Sequence, residues 1–305
     1  MFEAPDWSES FYDDICAKSE TYIHSGYWDD IEVRHLRNWL TNFKTKEEKY
    51  LAACILDSLV YRSRRMVNSS IDEIAITRIP SFLKEKKIED VCCIKSWLLR
   101  LRQGEAIPFR IIAIEDVDQR AGKSGAVLSR RVDERLHLAR HLTKKLENFD
   151  SLHKDVRAIV LIDDFAGTGE QFVSFMNKLS EKKNFDKYEY LYVPLAAYKG
   201  AIGFIQESFP NVVVDPVEIL TEEDSLFFPI NGYFQGDKKN SVEAAKEFYL
   251  NLCANRGFAN TSFLLGKGEL ALTFGFDFST PNNNIKLLYH NPNDNSWKNL
   301  LVRRQ

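Results

Sequence analysis

The sequence predicts an α/β fold with a parallel sheet core, preceded by a helical region and followed by a segment that contains a helix and a strand. Residues 1–105 carry apolar residues at helical spacing. From Pro108 onward, short apolar runs alternate with helical segments, which is typical of βαβ units around a parallel sheet. These runs are continuous, as strands buried on both faces require. We therefore expect three regions, at 1–105, 106–235 and 236–305.

The N-terminal region is predicted to be helical in three segments. Apolar residues recur at helical spacing in 29–43 and in 46–65, and the apolar face of the second segment is wide enough to pack on two neighbours. A third apolar run, 97–101, lies between basic residues. The basic clusters of this region are typical of solvated helix faces, and a nucleic-acid patch is the alternative.

Strands and helices alternate in the middle region. The predicted strands are the apolar runs 109–114, 158–162, 190–197 and 212–220. The predicted helices are 132–146 and 172–179, and a polar, glycine-containing loop is expected at 116–129.

The C-terminal region has a different pattern. Residues 241–252 have the spacing of a helix. Residues 270–278 alternate strictly between apolar and other residues, which predicts a strand buried on one face. A turn is expected at 280–284, because proline fixes φ and asparagine tolerates left-handed backbone geometry.

Composition excludes several classes of protein. The chain has 305 residues, 44% of them apolar and 28% charged, which provides enough apolar surface for a folded core. Its 41 basic and 44 acidic residues give a formal net charge of −3, so no overall basic field favours nucleic acid. The N-terminus lacks the basic start of a secretory signal, and no stretch is long and apolar enough for a membrane span. We therefore expect a cytoplasmic globular protein whose five cysteines are reduced thiols.

The chemistry is predicted to lie in the segment IVLIDDFAGTGEQF, residues 159–172. A buried parallel strand delivers Asp163 and Asp164 at its C-terminal end, where ligands bind in open α/β sheets. A turn containing Gly167 and Gly169 leads into a helix, and backbone N–H groups in such a turn can approach an anion closely. This arrangement suits a sugar phosphate, because the carboxylates can accept hydrogen bonds from ribose hydroxyls while the turn holds the phosphate.

This segment resembles the phosphoribosyl pyrophosphate (PRPP) signature of type I phosphoribosyltransferases. Asp163 and Asp164 match the acidic pair, and Gly167, Thr168 and Gly169 match the first three loop positions. The resemblance implies that the acidic pair is catalytic and contacts the ribose hydroxyls, while the loop holds the 5′-phosphate. It also implies that Mg²⁺ is carried mainly by the pyrophosphate, and that a base nitrogen displaces the pyrophosphate at the anomeric carbon.

Two positions of the loop depart from this signature. Glu170 and Gln171 stand where the family usually has small or hydroxyl residues, and we include both among the ribose-phosphate-binding residues. A carboxylate about 4 Å from a phosphate is repelled by roughly 4 kcal/mol per charge pair at an effective dielectric constant near 20. The alternative interpretation is a capping box that needs no ligand, with Thr168 as the N-cap and Gln171 as the third helical residue.

A polar loop after the first strand of the sheet is the second predicted part of the site. By its resemblance to the pyrophosphate and flexible-loop region of phosphoribosyltransferases, this part is expected to comprise Asp118, Arg120, Lys123, Ser124, Arg130 and Arg131. Of these, Lys123, Arg130 and Arg131 are the candidate anion contacts. The alternative is a mobile, solvated loop. The run 122–124, Gly-Lys-Ser, does not complete a P-loop, because Val117 stands where that motif requires its first glycine.

Histidine and cysteine spacing predicts no metal site. His137 and His141 stand four residues apart on a predicted helix, a spacing that two zinc ligands can have. Leu138 replaces the glutamate of the zincin pattern, and no third ligand is evident, so we expect a surface pair. Cys92 and Cys93 are adjacent, which is not the spacing of a metal-binding pair.

Three features together are similar to the phosphoribosyltransferase-like proteins of bacterial conflict systems, which are found beside retrons and other anti-phage cassettes. They are residues 39–43 with 46–48, the acidic pair with its glycine turn, and residues 281–283 with Trp297 and Arg303. The similarity extends from about Trp28 to Arg304. It implies an effector or accessory subunit of an anti-phage defence system, whose partners are other proteins of the same operon, among them a reverse transcriptase with nucleic acid. Trp297 is expected to anchor the tail to the core.

Three functions are consistent with these features. The first is an enzyme that binds PRPP or a ribose-5-phosphate nucleotide and makes or breaks a glycosidic bond. The second is a catalytically inactive module that senses a nucleotide, or acts in assembly, and contacts protein or nucleic acid; Glu170 and Gln171 favour it. The third is a purely structural role. The base and the oligomeric state are left open.

Overall fold

The computed structural model describes residues 1–114, 124–229, 234, 237–258, 262–292, 294 and 296–303. The helices of this part are α1 (Ser8–His24), α2 (Val33–Leu40), α3 (Lys46–Ser58), α4 (Arg64–Glu73), α5 (Ile79–Glu85), α6 (Ile94–Gln103), α7 (Ser124–Leu136), α8 (Glu170–Ser180), α9 (Lys199–Ser208), α10 (Val242–Asn255) and α11 (Lys286–Tyr289). The strands are β1 (Val60–Arg62), β2 (Phe109–Ala113), β3 (Thr143–Lys144), β4 (Ala158–Ala166), β5 (Glu189–Tyr198), β6 (Val212–Val214), β7 (Glu218–Leu220) and β8 (Phe274–Phe276). A π-helical segment (Ile74–Arg78) joins α4 to α5, and 3-10 helices occupy Leu146–Ser151, Phe185–Lys187, Glu222–Asp224 and Lys267–Glu269. None of the described helices combines the length and the apolar character that crossing a membrane requires.

The chain folds into two compact units, and the first is built from two separate segments. Unit 1 contains Met1–Arg64 and Thr221–Arg303, and unit 2 contains Arg65–Leu220 between them. This division differs from the three regions that the sequence suggests. The reason is that the helices from α4 to α6 fold with the sheet, whereas the C-terminal segment folds with α1–α3. Helical spacing identifies a face that must be buried, but it does not identify the element that covers that face.

Unit 2 contains a parallel sheet, which confirms the predicted α/β class. Its strand order is β3-β2-β4-β5-β6, and β7 pairs with the C-terminal part of β5. All of these pairings are parallel. In β4, every residue from Ala158 to Asp164 is buried, so both faces of this strand are covered. This explains why its sequence is a continuous apolar run until the two aspartates.

Most of the predicted elements are present in the structure. Strands 109–114, 158–162 and 190–197, helices 172–179 and 241–252, and the turn at 280–284 are confirmed. The apolar run at 212–220 forms two short strands, β6 and β7. They pair with different parts of the same strand, β5.

The helix that follows β2 lies earlier in the chain than the sequence suggests. It is α7, at Ser124–Leu136, so the predictions of a loop through Ser129 and of a helix from Val132 to Leu146 are wrong. Leu128, Val132 and Leu136 are buried at successive four-residue intervals and form its apolar face. His137 has a φ of 53°, in the left-handed region, just beyond the end of the helix. The first part of the predicted loop, 115–123, lies outside the described residues.

Unit 1 has an aromatic core that joins the N-terminal helices to the C-terminal segment. The indole N–H groups of Trp39 and Trp297 both donate to the backbone carbonyl of Leu287, at 2.8 and 3.1 Å. Both indoles are buried, and Phe43 packs edge-on against Trp297 with ring centroids 5.5 Å apart. The prediction that Trp297 anchors the tail to the core is therefore confirmed. Large buried aromatic rings dominate the energetics of such a core.

The helix predicted at 46–65 is shorter in the structure. Helix α3 ends at Ser58, and Val60–Arg62 forms β1, which pairs in parallel with β8. The N–H of Val60 donates to the carbonyl of Thr273 at 2.8 Å. The strand forms because a distant segment supplies its hydrogen-bond partners, and local sequence spacing does not contain that information.

The prediction that 270–278 is a strand buried on one face only is wrong. Strand β8 contains three residues, and Thr273 and Asp277, on the predicted solvent face, are also buried. The hydroxyl of Thr273 donates to the carbonyl of Ser58 at 2.9 Å, and Asp277 lies 3.6 Å from the guanidinium of Arg64. The polar side chains therefore have partners within the protein.

We expect Gly266→Ala to destabilise unit 1 far more than Gly257→Ala. Both glycines have a φ near 80°. Gly266 also has a ψ of 162°, a backbone conformation that is essentially restricted to glycine and costs another residue about 1–3 kcal/mol. At Gly266 the new Cβ would lie 2.1 Å from the carbonyl oxygen of Asn283, whereas at Gly257 it meets no atom of the described residues within 4 Å. Overpacking adds about 1–3 kcal/mol at Gly266. Urea unfolding, followed by tryptophan fluorescence, measures both effects, and equal midpoints would contradict this account.

Candidate functional site

Strand β4 brings the two aspartates to the C-terminal part of a central strand of the sheet. It pairs with β2 on one side and with β5 on the other, and Asp163 lies opposite Pro194 of β5. Asp163 and Asp164 are 2% and 6% exposed, so neither carboxyl group is solvated as a surface carboxylate would be. Their state therefore depends on the groups around them.

Both carboxyl oxygens of Asp163 are engaged within the protein. The backbone N–H of Asp164 donates to Oδ1 at 2.9 Å, and the hydroxyl of Tyr192 donates to Oδ2 at 3.1 Å. Tyr192 lies on β5, and its ring packs against Phe172 of α8 with ring centroids 4.1 Å apart. Asp163 is thus fixed between two strands and covered by a helix, which suits a positioning residue.

The pKa of the Asp163 carboxyl is raised well above its usual value. Burial is the main cause, and the negative charge of Asp164 and a hydrogen bond between the two carboxyl groups add to it. The hydrogen bond from Tyr192 acts in the opposite direction, and burial together with the charge of Asp163 raises the pKa of Tyr192 as well. The arrangement favours a protonated Asp163 beside Asp164, as in pairs of carboxyl groups that share one proton.

The turn after β4 is tightly built. Gly167 and Gly169 are buried, Thr168 is partly exposed, and Gly169 has a φ of 81° as the N-cap of α8. A Cβ at Gly169 would lie 3.0 Å from the ring of Phe204 and 3.2 Å from the carbonyl oxygen of Ala201. Glycine is therefore required at position 169 both by backbone conformation and by the close approach of α9.

The capping box that the sequence suggests at Thr168 does not form. The N-cap is Gly169, and α8 begins at Glu170, so Thr168 lies one residue before the position that a capping side chain must occupy. The left-handed conformation of Gly169 causes this shift. The first turn of α8 therefore receives no side-chain cap.

The amides of the turn have no acceptor within the described part of the protein. No described group accepts a hydrogen bond from the backbone N–H of Gly167, Thr168 or Gly169. The side chains of Glu170 and Gln171 are exposed at the start of α8. Because amides at the start of a helix attract negative charge, this turn has the chemistry of an anion site.

The structure describes only part of the second predicted group. Asp118, Arg120 and Lys123 lie outside the described residues, and Ser124 is the first residue of α7. Arg130 is exposed and Arg131 is half-buried, and both lie on α7, which packs against β2 and β4. These two arginines are therefore held on a helix, whereas the sequence suggests a flexible loop for this region.

The two histidines at 137 and 141 do not share a helix, because α7 ends at Leu136. His141 instead lies against Gly104, with its Nε2 3.0 Å from that carbonyl oxygen. In the part of the chain that the structure describes, no three histidine, cysteine or acidic side chains are grouped so as to hold a metal ion.

Tyr192 is the residue of this site that sequence analysis misses. It stands in the run YLYVPLAA, where a tyrosine is expected to be one more core residue. Its role follows from the register of β4 and β5, which sets Pro194 opposite Asp163 and brings Tyr192 close to the same level. The signal that identifies Tyr192 is its hydroxyl group in an otherwise apolar strand. That strand lies beside a strand that ends in aspartates.

Comparison with known proteins gives a family and a weak likeness to solved structures. The model of the family described as PRTase-CE matches residues 36–303. No curated protein matches the chain. Among solved structures, the orotate phosphoribosyltransferase from Aeropyrum pernix is 17% identical, with a TM-score of 0.26, over 41% of this chain and 70% of that chain. A likeness at that score supports no conclusion about the site.

We expect Asp163→Asn to gain stability relative to the wild type as pH rises. A carboxyl group whose pKa is raised by folding binds more protons in the folded state, so its contribution is complete at low pH and is lost as pH rises through the folded pKa. Asparagine keeps a similar shape and does not titrate. The difference in Tm between variant and wild type should therefore grow as pH rises above about 4, the ordinary pKa of an aspartate. Differential scanning fluorimetry measures it, with Asp186→Asn at an exposed position as control, and a constant difference would refute a raised pKa.

Proposed function

The chain belongs to the PRTase-CE family, and from this premise we propose that unit 2 binds PRPP or a ribose-5-phosphate nucleotide at the turn after β4. The observation that carries the proposal concerns the backbone N–H groups of Gly167, Thr168 and Gly169. No described protein group accepts a hydrogen bond from them. Amides in a tight turn at the start of a helix are suited to a phosphate group.

The two aspartates are proposed to have different roles. Asp164 would accept hydrogen bonds from the ribose hydroxyls. Asp163 would act through it, because the Oδ1 atom of Asp163 already accepts from the backbone N–H of Asp164 and its Oδ2 atom from Tyr192. Mg²⁺ is proposed to arrive with the pyrophosphate of PRPP as part of the substrate complex. This agrees with the preference of Mg²⁺ for substrate phosphates together with one or two carboxylates.

The exposed Glu170 is compatible with phosphate binding at the turn. Its side chain lies on the solvent side of the first turn of α8, where water screens its charge. The repulsion is then smaller than the roughly 4 kcal/mol expected at an effective dielectric constant near 20, and it approaches about 1 kcal/mol in bulk water. Glu170 would therefore weaken the binding of phosphate without preventing it.

We expect Glu170→Gln to bind PRPP severalfold more tightly than the wild type. The substitution removes a negative charge near the phosphate and keeps the shape of the side chain. Glu181→Gln is the matched control, because Glu181 is exposed at the other end of the same helix. Isothermal titration calorimetry with PRPP and Mg²⁺ gives both affinities. Equal changes in the two variants would show that the phosphate does not bind at the start of α8.

A second candidate function is a nucleotide sensor without turnover. The geometry of Asp163 favours it, since both of its oxygens are engaged and burial raises the pKa of its carboxyl group, which disfavours the charged form. Less negative charge gives less stabilisation of the positive charge that develops at an anomeric carbon.

Pyrophosphate release from PRPP in the presence of Mg²⁺ and a panel of nucleobases distinguishes the two functions. Tight binding with no release would establish the sensor, and release above the spontaneous rate would establish the enzyme.

We further propose that the protein is an effector or accessory subunit of a bacterial anti-phage defence system. Its similarity to proteins of conflict systems supports this role. The proposed partners are other products of the same operon, among them a reverse transcriptase with nucleic acid.

We expect cells that carry the operon with Asp164→Asn to lose most of their protection against phage. The efficiency of plaque formation measures protection, and Asp186→Asn, at an exposed position, is the control. Full protection by the Asp164→Asn variant would show that this site is not needed for defence.

A further inference from the structure

Unit 2 contains a cavity of about 660 Å³ at the end of the sheet opposite the aspartates. It is lined by the segment before β2, by the start of β2, by β3 and by the segment before β4. Ala158, at the start of β4, is five residues before Asp163, which corresponds to about 16 Å along a strand. The cavity is therefore separate from the turn after β4.

The buried charged residue of this cavity is Arg110. It is 8% exposed, and one of its terminal nitrogens, Nη1, donates to the backbone carbonyls of Ile107 and Phe109 at 3.0 and 2.6 Å. Within the described residues it forms no ion pair with a carboxylate. Burial lowers the pKa of this guanidinium, yet arginine keeps its charge in proteins. A buried cation held by carbonyls alone is an unusual arrangement that an anion would complete.

The other polar residues of the cavity strengthen its positive character. Lys144 lines the wall and forms no ion pair within the described residues. His141 and His153 also line it. The carboxylate of the lining is Asp155, which lies 3.3 Å from His153. Two permanent cations and two histidines thus face one carboxylate, so the cavity has an excess of positive charge.

We propose that this cavity binds the phosphate group of a small phosphorylated molecule, as a second site separate from the one at the turn after β4. Arginine and lysine together match an oxyanion that carries more than one negative charge. The volume exceeds what a single phosphate fills and lies in the range of small-molecule sites. Ile107, Pro108 and Leu152 form an apolar part of the wall, against which the rest of the molecule packs.

The test uses the ring signals of the histidines in NMR spectra of the full chain, at constant ionic strength. AMP, inorganic phosphate and adenosine are added in separate titrations. We expect AMP and phosphate to shift the signals of His141 and His153, while adenosine does not, and His24 in unit 1 serves as the internal reference. Lys144→Glu should weaken AMP binding about tenfold or more, as loss of a charged hydrogen-bond partner does. The matched control, Lys183→Glu, changes the same charge at an exposed position outside the cavity and should leave the titration unchanged.

Three results would overturn the proposal. They are an absence of AMP-dependent shifts at His141 and His153, equal shifts with adenosine, or equal affinities in Lys144→Glu and the wild type. Arg110→Lys is a second variant that retains a positive charge in the cavity, and it should bind AMP more weakly than the wild type because the fork of the guanidinium is lost. None of these results bears on the PRPP affinity of Glu170→Gln, so the two sites are tested independently.

Discussion

The hydrogen bond between Tyr192 and Asp163 satisfies a polar group at a place where water does not reach. Strand β4 is covered on both faces and paired on both edges, so a carboxyl group on it must find its partners within the protein. Tyr192 supplies one partner and the backbone of Asp164 supplies the other. The second contact also fixes the backbone of Asp164. The turn that begins three residues later, at Gly167, therefore starts from a fixed point.

The sequence predicts the individual elements of this site better than it predicts the contacts between them. Three parts of the site are local features of the sequence: the apolar run of β4, the glycines of the turn and the helix α8. They can be predicted because the spacing of apolar residues and the preference for a turn depend on residues that are neighbours in the chain. Tyr192 depends on the register between two strands, and β1 depends on a partner more than two hundred residues away. Spacing alone does not locate the start of α7, because the buried series Leu128, Val132 and Leu136 and the later apolar series from Val132 to Leu146 both have helical spacing. For Tyr192 and β1, what the sequence does not contain is which segments meet.

Asp163 and Arg110 are buried ionisable groups at opposite ends of the parallel sheet, and burial constrains them differently. Asp163 can reduce the free-energy cost of burial by keeping its proton, and the raised pKa expresses this. Arg110 cannot lose its proton in the same way, so its charge remains and must be balanced by dipoles or by an anion. The carbonyls of Ile107 and Phe109 provide only dipoles. Asp163 therefore needs no ligand, whereas Arg110 keeps a full positive charge that the proposed anion would balance.

The assembly of unit 1 from residues 1–64 and 221–303 has a consequence during synthesis on the ribosome. Trp39 donates its indole N–H to a carbonyl 248 residues further along the chain, so this bond cannot form until nearly the whole protein has been made. At the usual speed of translation, the ribosome needs roughly 10–50 s to reach that point. During this interval the nascent helices α2 and α3 carry apolar faces without their final cover, and a chaperone has time to engage them. The intervening unit 2 is complete earlier and is able to fold first.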